Sequence, residues 1–185
     1  MRFGDITAET ERLILRQLRN DDYEAWLEGF TGRSDSQYRH DTGRMDMTEC
    51  TEDWFEKLVE KHRQLAADDT AYIFFVFHKD GRHLGHVDFS TLEREEFQWA
   101  RIGYAFHNQH WGNGYAAEAV TRALETGFRE LGYHRIEAHI NLDNPRSMKL
   151  AERAGMTFEC TRKGFIYEFG EWTDNHVYCK NAEGE

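Results

Sequence analysis

The segment Phe106-His-Asn-Gln109-His-Trp-Gly112-Asn-Gly114-Tyr-Ala-Ala117-Glu118 constrains this chain more than any other. An apolar strand-like run ends at Phe106, and a helical pattern begins just after two glycines. Glycine there permits φ > 0 and lets backbone approach a ligand closely. The first N–H groups of a helix lack internal partners and lie at the positive end of its dipole. Strand, turn and helix together make a site for a pyrophosphate. The bland alternative is a glycine-rich turn without a ligand.

The rest of the pattern is mixed α/β. Glu11–Leu18 reads as a strand with Leu13 and Leu15 on one face. Asn20-Asp21-Asp22 can cap a helix carrying Tyr23, Trp26, Leu27 and Phe30. Residues 31–47, polar with Gly32 and Gly43, read as a loop. Thr51 can cap a second helix with the stripe Trp54, Phe55, Leu58, Val59, His62 and Leu65. Both stripes read as core, with a lid over a substrate as the minor reading. Strands follow at Ala71–Phe77, Leu84–Phe89 and Phe97–Phe106, the first two joined through Asp80-Gly81. A helix spans about Gly114 to Leu131 and stops at Gly132. Arg135–Ile140 is a strand, Asn144-Pro145 opens a short helix that Gly155 ends, and Met156–Thr161, Phe165–Phe169 and Thr173–Cys179 are the last strands.

The 185 residues give one domain, 1–185, with no linker or repeat to divide it and only 181–185 as a flexible tail. That is enough chain to bury a core without staples. Cys50, Cys160 and Cys179 are odd in number and widely spaced, so they read as reduced thiols in a cytoplasmic protein. No run is apolar enough to span a bilayer, and the start of the chain has no signal-peptide core. A net charge of −11 argues against nucleic acid and anionic membrane as partners. It suits a cationic substrate or a basic protein, which opposite charge steers inward.

Two cofactors compete for the turn. Gly112-x-Gly114-x-x-Ala117 formally fits a dinucleotide fingerprint, with Glu137 placed to hold a ribose. Against it, five residues separate Phe106 from Gly112, only one further helix follows, and the preceding strands form a meander. The second reading is coenzyme A. Gln109-x-x-Gly112-x-Gly114 resembles the (Arg/Gln)-x-x-Gly-x-(Gly/Ala) motif of the GNAT superfamily of N-acyltransferases. Asn144-Pro-Arg-Ser147 through Gly155-Met-Thr-Phe158 resembles the Asn-x-x-Ser signature of its RimJ/RimL-like branch, the ribosomal-protein N-terminal acetyltransferases. Thr10–Arg16 and Gly170–Asp174 are similar to that branch too, and the element order matches over nearly the whole chain. Two positions depart from the pattern: Met156 follows Gly155 where Phe is common, and Arg101 stands where the branch commonly carries Glu.

The resemblance implies a GNAT fold: a mixed, mostly antiparallel sheet of about seven strands, splayed between strands 4 and 5 and flanked by about four helices. It implies acetyl-CoA as co-substrate and direct transfer of acetyl to a primary amine. Tyr104, Ala105 and Phe106 would hold the pantetheine arm through backbone, with an N–H around Phe106 as oxyanion donor. Gln109 and backbone N–H groups over Trp111, Gly112, Asn113, Gly114, Tyr115 and Ala116 would take the pyrophosphate. Asn144 would bond the cofactor arm or simply cap its helix. Ser147 would hydrogen-bond the leaving sulfur or cap its own helix, and Arg153 would reach a phosphate or stay solvated. Glu168 is the first candidate base and Asp88 the second, with a water chain in place of either. Asp174 reads as structural. No cysteine is placed as a nucleophile, so no acyl-enzyme is expected.

His83-x-x-His86 and His107-x-x-His110 suggest metal pairs, but strand positions three apart face opposite ways, the second pair sits in the cofactor turn without the Glu of a zincin motif, and no metal is expected. His107 or His110 would line the acceptor entrance. The expected acceptor is the N-terminal α-amine of a basic, ribosomal-type protein. Small amines (polyamines, aminoglycosides, amino acids) are the alternative, as is a non-catalytic acyl-CoA-binding module. Monomer and homodimer both fit.

Overall fold

The computed structural model describes residues 6–183. In chain order the elements are β1 (Thr7–Glu9), β2 (Leu13–Arg16), α1 (Tyr23–Thr31), α2 (Glu52–Ala67), β3 (Ala71–His78), β4 (His83–Glu93), β5 (Trp99–Phe106), α3 (Tyr115–Arg129), β6 (Arg135–Asn141), α4 (Pro145–Arg153), β7 (Thr157–Glu168) and β8 (Glu171–Asn181). The strands form one eight-stranded sheet in the order β1-β2-β3-β4-β5-β6-β8-β7. All neighbours are antiparallel except β5 and β6.

That parallel pair opens. β5 and β6 are registered only at Trp99–Arg135, Ala100–Ile136 and Arg101–Glu137. Beyond these, β5 stays with β4 as far as Gly85–Phe106, while β6 stays with β8 as far as Asn141–Asn175. The sheet is therefore split from Ile102 onward. This is the GNAT-type splay the resemblance implies, shifted by one strand number because Thr7–Glu9 adds an edge strand that its short, polar sequence does not announce. The strands expected at Met156–Thr161 and Phe165–Phe169 are a single strand, β7, with a register shift between Arg162 and Ile166. Contrary to the expected tail from Asn181, that residue ends β8. Asn181 pairs with Arg135, and Ala182 N–H donates to His134 O at 2.7 Å. Residues 184–185 of the expected tail lie outside the described residues.

Two cores sandwich the sheet. α3 presents Ala119, Val120, Ala123 and Leu124 to a core shared with Phe74, Val76, Leu84, Val87, Phe89, Ile102 and Ile136. On the other face α1 and α2 bring Trp26, Phe55 and Val59 against Phe75 and Phe77. Each Val, Leu, Ile or Phe among them, fully buried, stabilises by roughly 1.5–3 kcal/mol. Trp54, expected in the α2 stripe, is 41% exposed and stacks on Trp26 from outside at 5.7 Å.

One local irregularity overturns a reading. The β3–β4 register shifts between Val76 and Phe77, opposite Gly85, whose φ is +152°. A Cβ on Gly85 would lie 2.2 Å from Ala105 O, so only glycine fits. The irregularity cancels the strand alternation, and His83 and His86 both pack on Phe75, with centroids at 5.6 and 5.9 Å. Positions three apart here share a face, contrary to the expectation from strand periodicity.

Candidate active site

The strand opening leads into a cavity of about 480 Å³. Its walls are the end of β5 (Tyr104, Ala105, Phe106), the turn and start of α3 (Trp111, Gly112, Gly114, Tyr115, Ala116, Ala117) and one face of α4 (Asn144, Arg146, Ser147, Lys149, Leu150, Arg153). The loop between α1 and α2 closes it with Arg33, Tyr38, His40, Asp41 and Thr42. The chain is acidic, yet Arg33, Arg146, Lys149 and Arg153 here face one carboxylate, Asp41. The cavity is a local cationic well, suited to a phosphorylated ligand.

The turn is built as its glycines require. Gly112 and Gly114 hold φ of +84° and +79°, and Gly114 is the N-cap of α3. Among the described residues, no N–H from Gly112 to Ala117 donates to a backbone carbonyl outside a regular element, whereas Trp111 N–H donates to Asn108 O at 3.3 Å. These are the donors an anion at a helix N-terminus uses. Trp111 Nε1 donates to Phe106 O at 3.0 Å and folds the turn back on β5. Outside, Arg12 donates to Asn113 O at 3.0 Å and to Glu118 Oε2 at 2.8 Å through Nε, bracing the helix start. Glu118 is held below its ordinary pKa: burial alone would raise it, but hydrogen bonds from Thr10 and Arg12 prevail.

α4 faces this turn across the opening. Asn144 Oδ1 accepts from Ser147 N–H at 3.2 Å, so the N-cap role is realised. The Ser147 hydroxyl is not used on its own helix. Ser147 Oγ lies 2.9 Å from Tyr104 Oη, which is also 3.3 Å from Ser147 O. Arg146 spans two rings, 4.7 Å from the Tyr38 centroid and 5.1 Å from that of Trp111.

The closing loop is pinned by a buried polar network. Arg33 donates to Asp41 Oδ1 at 3.0 Å, and the two side chains are 7% and 0% exposed. Burial would raise the Asp41 pKa, but hydrogen bonds from Asn108, Gly43 and Gln37 and the Arg33 charge hold it low. Arg33 Nη1 lies 3.3 Å from His107 Nδ1, His107 Nε2 lies 3.1 Å from His83 Nδ1, and His83 Nε2 lies 2.9 Å from Gly85 O. A carbonyl and a guanidinium at the two ends fix the tautomers. Arg33 donates to His107, His107 to His83, and His83 to Gly85, with both imidazoles neutral. Burial pushes His107 down to about 2 and His83 to about 4.

A family model described as "Acetyltransferase (GNAT) domain" matches residues 12–157. The chain belongs to the GNAT acetyltransferase family. It is 29% identical to the uncharacterized N-acetyltransferase YoaA of Bacillus subtilis (strain 168), over 92% of this chain and 93% of the relative. It is 26% identical to the ribosomal protein uS5-alanine N-acetyltransferase of Escherichia coli (strain K12), over 90% of this chain and 86% of the other. RimJ of Mycobacterium smegmatis, solved in complex with CoA-disulfide, superposes with a TM-score of 0.79 at 20% identity, covering 97% of this chain and 88% of that one. At that identity the likeness is one of fold.

In this GNAT domain Tyr104, Ala105, Phe106, Trp111, Gly112, Gly114, Tyr115, Ala116, Asn144, Ser147 and Arg153 share the cavity. Other candidates lie elsewhere. Gln109 Nε2 donates to Gly29 O of α1 at 2.8 Å, so its side chain ties the turn to the scaffold instead of reaching a ligand. Asn113 is a candidate through its backbone N–H, and only its side-chain amide is engaged, with His110 O and Trp111 O in its own turn. Asp88 pairs with Gly103, which puts it on the sheet face opposite the Tyr104 ring. Glu168 accepts from Asn141 Nδ2 and, at 2.5 Å, from Thr173 Oγ1, outside the cavity wall. His107 is buried in the relay, not at an entrance, while His110 does line the cavity. Glu137, the candidate ribose ligand, is 1% exposed between Arg135 and His139. Asp174 is structural as read: its Oδ1 accepts from Gly164 N–H at 2.8 Å in the β7 bulge.

Sequence reasoning missed the roof residues Arg33, Tyr38, His40, Asp41 and Thr42, whose loop carries no periodic signal. It also missed Arg146 and Lys149. These were findable, because positions 146, 149 and 153 place three cations along one face of α4.

Proposed function

We propose that this GNAT enzyme transfers acetyl from acetyl-CoA to the N-terminal α-amine of a basic protein in the cytoplasm. The observation that carries the reading is the cavity at the β5–β6 opening. There the α3 donors, the freed end of β5 and the Ser147 hydroxyl converge, and Asp41, the one carboxylate lining it among the described residues, is already held by Arg33.

The residues fit the cofactor. Donors from Gly112 to Ala117, with Arg153 and Lys149 near, take its phosphates. The β5 edge freed of β6 from Ile102 onward takes the pantetheine amides. Acetyl-CoA supplies an acyl carbon activated by its thioester. A backbone N–H near Phe106 stabilises the oxygen as charge develops on it. Ser147 hydrogen-bonds the sulfur.

The acceptor argument rests on proton chemistry. An α-amine has a pKa of about 7.7–8.0 and a lysine amine about 10.4, so near pH 7.5 the neutral fraction of the former is roughly 200–300-fold larger. A cavity with no unpaired carboxylate suits the amine that needs least help. Neither Asp88 nor Glu168 touches the cavity, so bridging water takes the amine's proton. The acidic exterior draws a cationic N-terminus inward, and the Escherichia coli relative's name states the same chemistry.

The test is an acceptor screen with acetyl-CoA, using basic peptides with free and blocked N-termini, a polyamine and an aminoglycoside. Acetylation of free N-termini alone is expected. Acetylation of the small amines with none of the peptides would assign the alternative acceptor class. CoA binding without acetylation of any amine would make the chain a binding module. In the same assay Ser147→Ala lowers kcat by about 10- to 100-fold, the worth of a hydrogen bond to developing charge, and keeps acetyl-CoA affinity.

A further inference from the structure

A serine hydroxyl near the start of a helix ordinarily turns back to its own backbone. Ser147 does not. Its N–H is satisfied by Asn144 Oδ1, and its hydroxyl meets a tyrosine from another element, 43 positions away in sequence. Tyr104 can reach it only because β5 has left β6: the last β5–β6 pair is Arg101–Glu137, and Tyr104 lies three residues further on. Both side chains line the cavity.

Either hydroxyl can donate across the 2.9 Å contact, and Tyr104 Oη can also donate to Ser147 O at 3.3 Å. The tyrosine hydroxyl has one proton, and burial raises its pKa above the ordinary value, so it keeps that proton. When this proton lies on Ser147 Oγ, at 2.9 Å the shorter of its two contacts, the proton of Ser147 is left for a third atom. Without the tyrosine, the serine proton is free to rotate to any nearby carbonyl.

We propose that Tyr104 is a positioning residue, donating to Ser147 Oγ and so aiming the Ser147 proton at the thioester sulfur held in the cavity. This rests on the acetyl-CoA reading above. In the transfer, the amine nitrogen bonds the acyl carbon and the C–S bond breaks with its electron pair on sulfur. The nitrogen's proton passes to water, and water returns one to sulfur. Ser147 O–H hydrogen-bonds that sulfur as its charge grows, and Tyr104 strengthens the bond by polarising the hydroxyl.

The test reads a thiol, not only turnover. CoA is bound to wild type, Tyr104→Phe, Ser147→Ala and the double variant, and its thiol is titrated by ultraviolet difference absorbance against desulfo-CoA. Wild type lowers the bound thiol pKa below that of free CoA. Tyr104→Phe returns part of that shift, Ser147→Ala returns at least as much, and the double variant matches Ser147→Ala. With an acceptor, Tyr104→Phe lowers kcat by about three- to tenfold, leaving KM for acetyl-CoA within about threefold. Tyr104→Leu, which keeps most of the apolar volume, behaves alike. Full additivity of the two single variants, or a thiol pKa unmoved by Tyr104→Phe, overturns the proposal alone. Failure of wild type to bind CoA overturns the acetyl-CoA reading together with it.

Discussion

Acid should loosen this protein, and two buried imidazoles carry a large share of the effect. His83 and His107 are 1% and 2% exposed and serve as neutral links between Arg33 and Gly85 O. Burial holds them at about 4 and about 2, and for His107 the charge of Arg33 presses the same way. In an unfolded chain each titrates near 6.5. The native values are the lower ones, so below about pH 6.5 the unfolded chain binds protons that the native chain refuses. Stability is therefore complete above about pH 7 and is lost as pH falls through 6.5 toward the native values. From pH 7.5 to 5 the loss is about 2 kcal/mol for each imidazole, or about 4 for the pair. Against a typical stability of about 5–15 kcal/mol, that is large. Depressed carboxylates such as Asp41 and Glu137 give way only at lower pH.

Urea unfolding at pH 7.5, 6.5, 5.5 and 5, at fixed ionic strength, measures the loss. His107→Gln provides the control. It is less stable at pH 7.5 because the relay is broken, yet from there to pH 5 it loses about 2 kcal/mol less than wild type. His62, also lowered to about 4 by burial, contributes equally to both proteins and cancels. Parallel pH curves for the two proteins would refute the reasoning, because the native imidazoles would then titrate as they do in the unfolded chain.

The remaining expectations are quicker to check. Gly112→Ala forces an alanine to a φ of +84° with nothing nearby to clash with, so it costs about 1–2 kcal/mol of backbone strain and visibly reduces the thermal shift given by CoA. Asp41→Ala strands the buried Arg33 guanidinium and lowers stability by about 3–5 kcal/mol in urea unfolding. Gly85→Ala drives a Cβ into Ala105 O, and heteronuclear NMR spectra register it as displaced resonances at the end of β5.

How far the sequence reached depended on the range of the interaction. Gly112 and Gly114 before an apolar helix face are a local signal, and the structure gives both the positive φ they permit. Asn144-Pro145 three residues before Ser147 is likewise local, and the cap forms as read. Gln109 belongs to the same motif, yet its amide goes to Gly29, 80 positions away. Glu168 sits in the strand that suggested it as base, but it is tied to Asn141, 27 positions away. The strand periodicity that separated His83 from His86 failed at Gly85, because a bulge depends on the partner strand as much as on its own residues.

The amino-acid order by itself determined the succession of helices, most of the strands, the glycine turn and the family, since each rests on neighbours within a few residues whose backbone preferences act before any packing. Only the tertiary structure decided which side chains face the cavity. Arg33 finds Asp41 and His107, and Tyr104 finds Ser147, through contacts between elements distant in the chain. Such partners are selected by burial, where a polar group must be satisfied by whatever donor or acceptor the packed elements bring within reach.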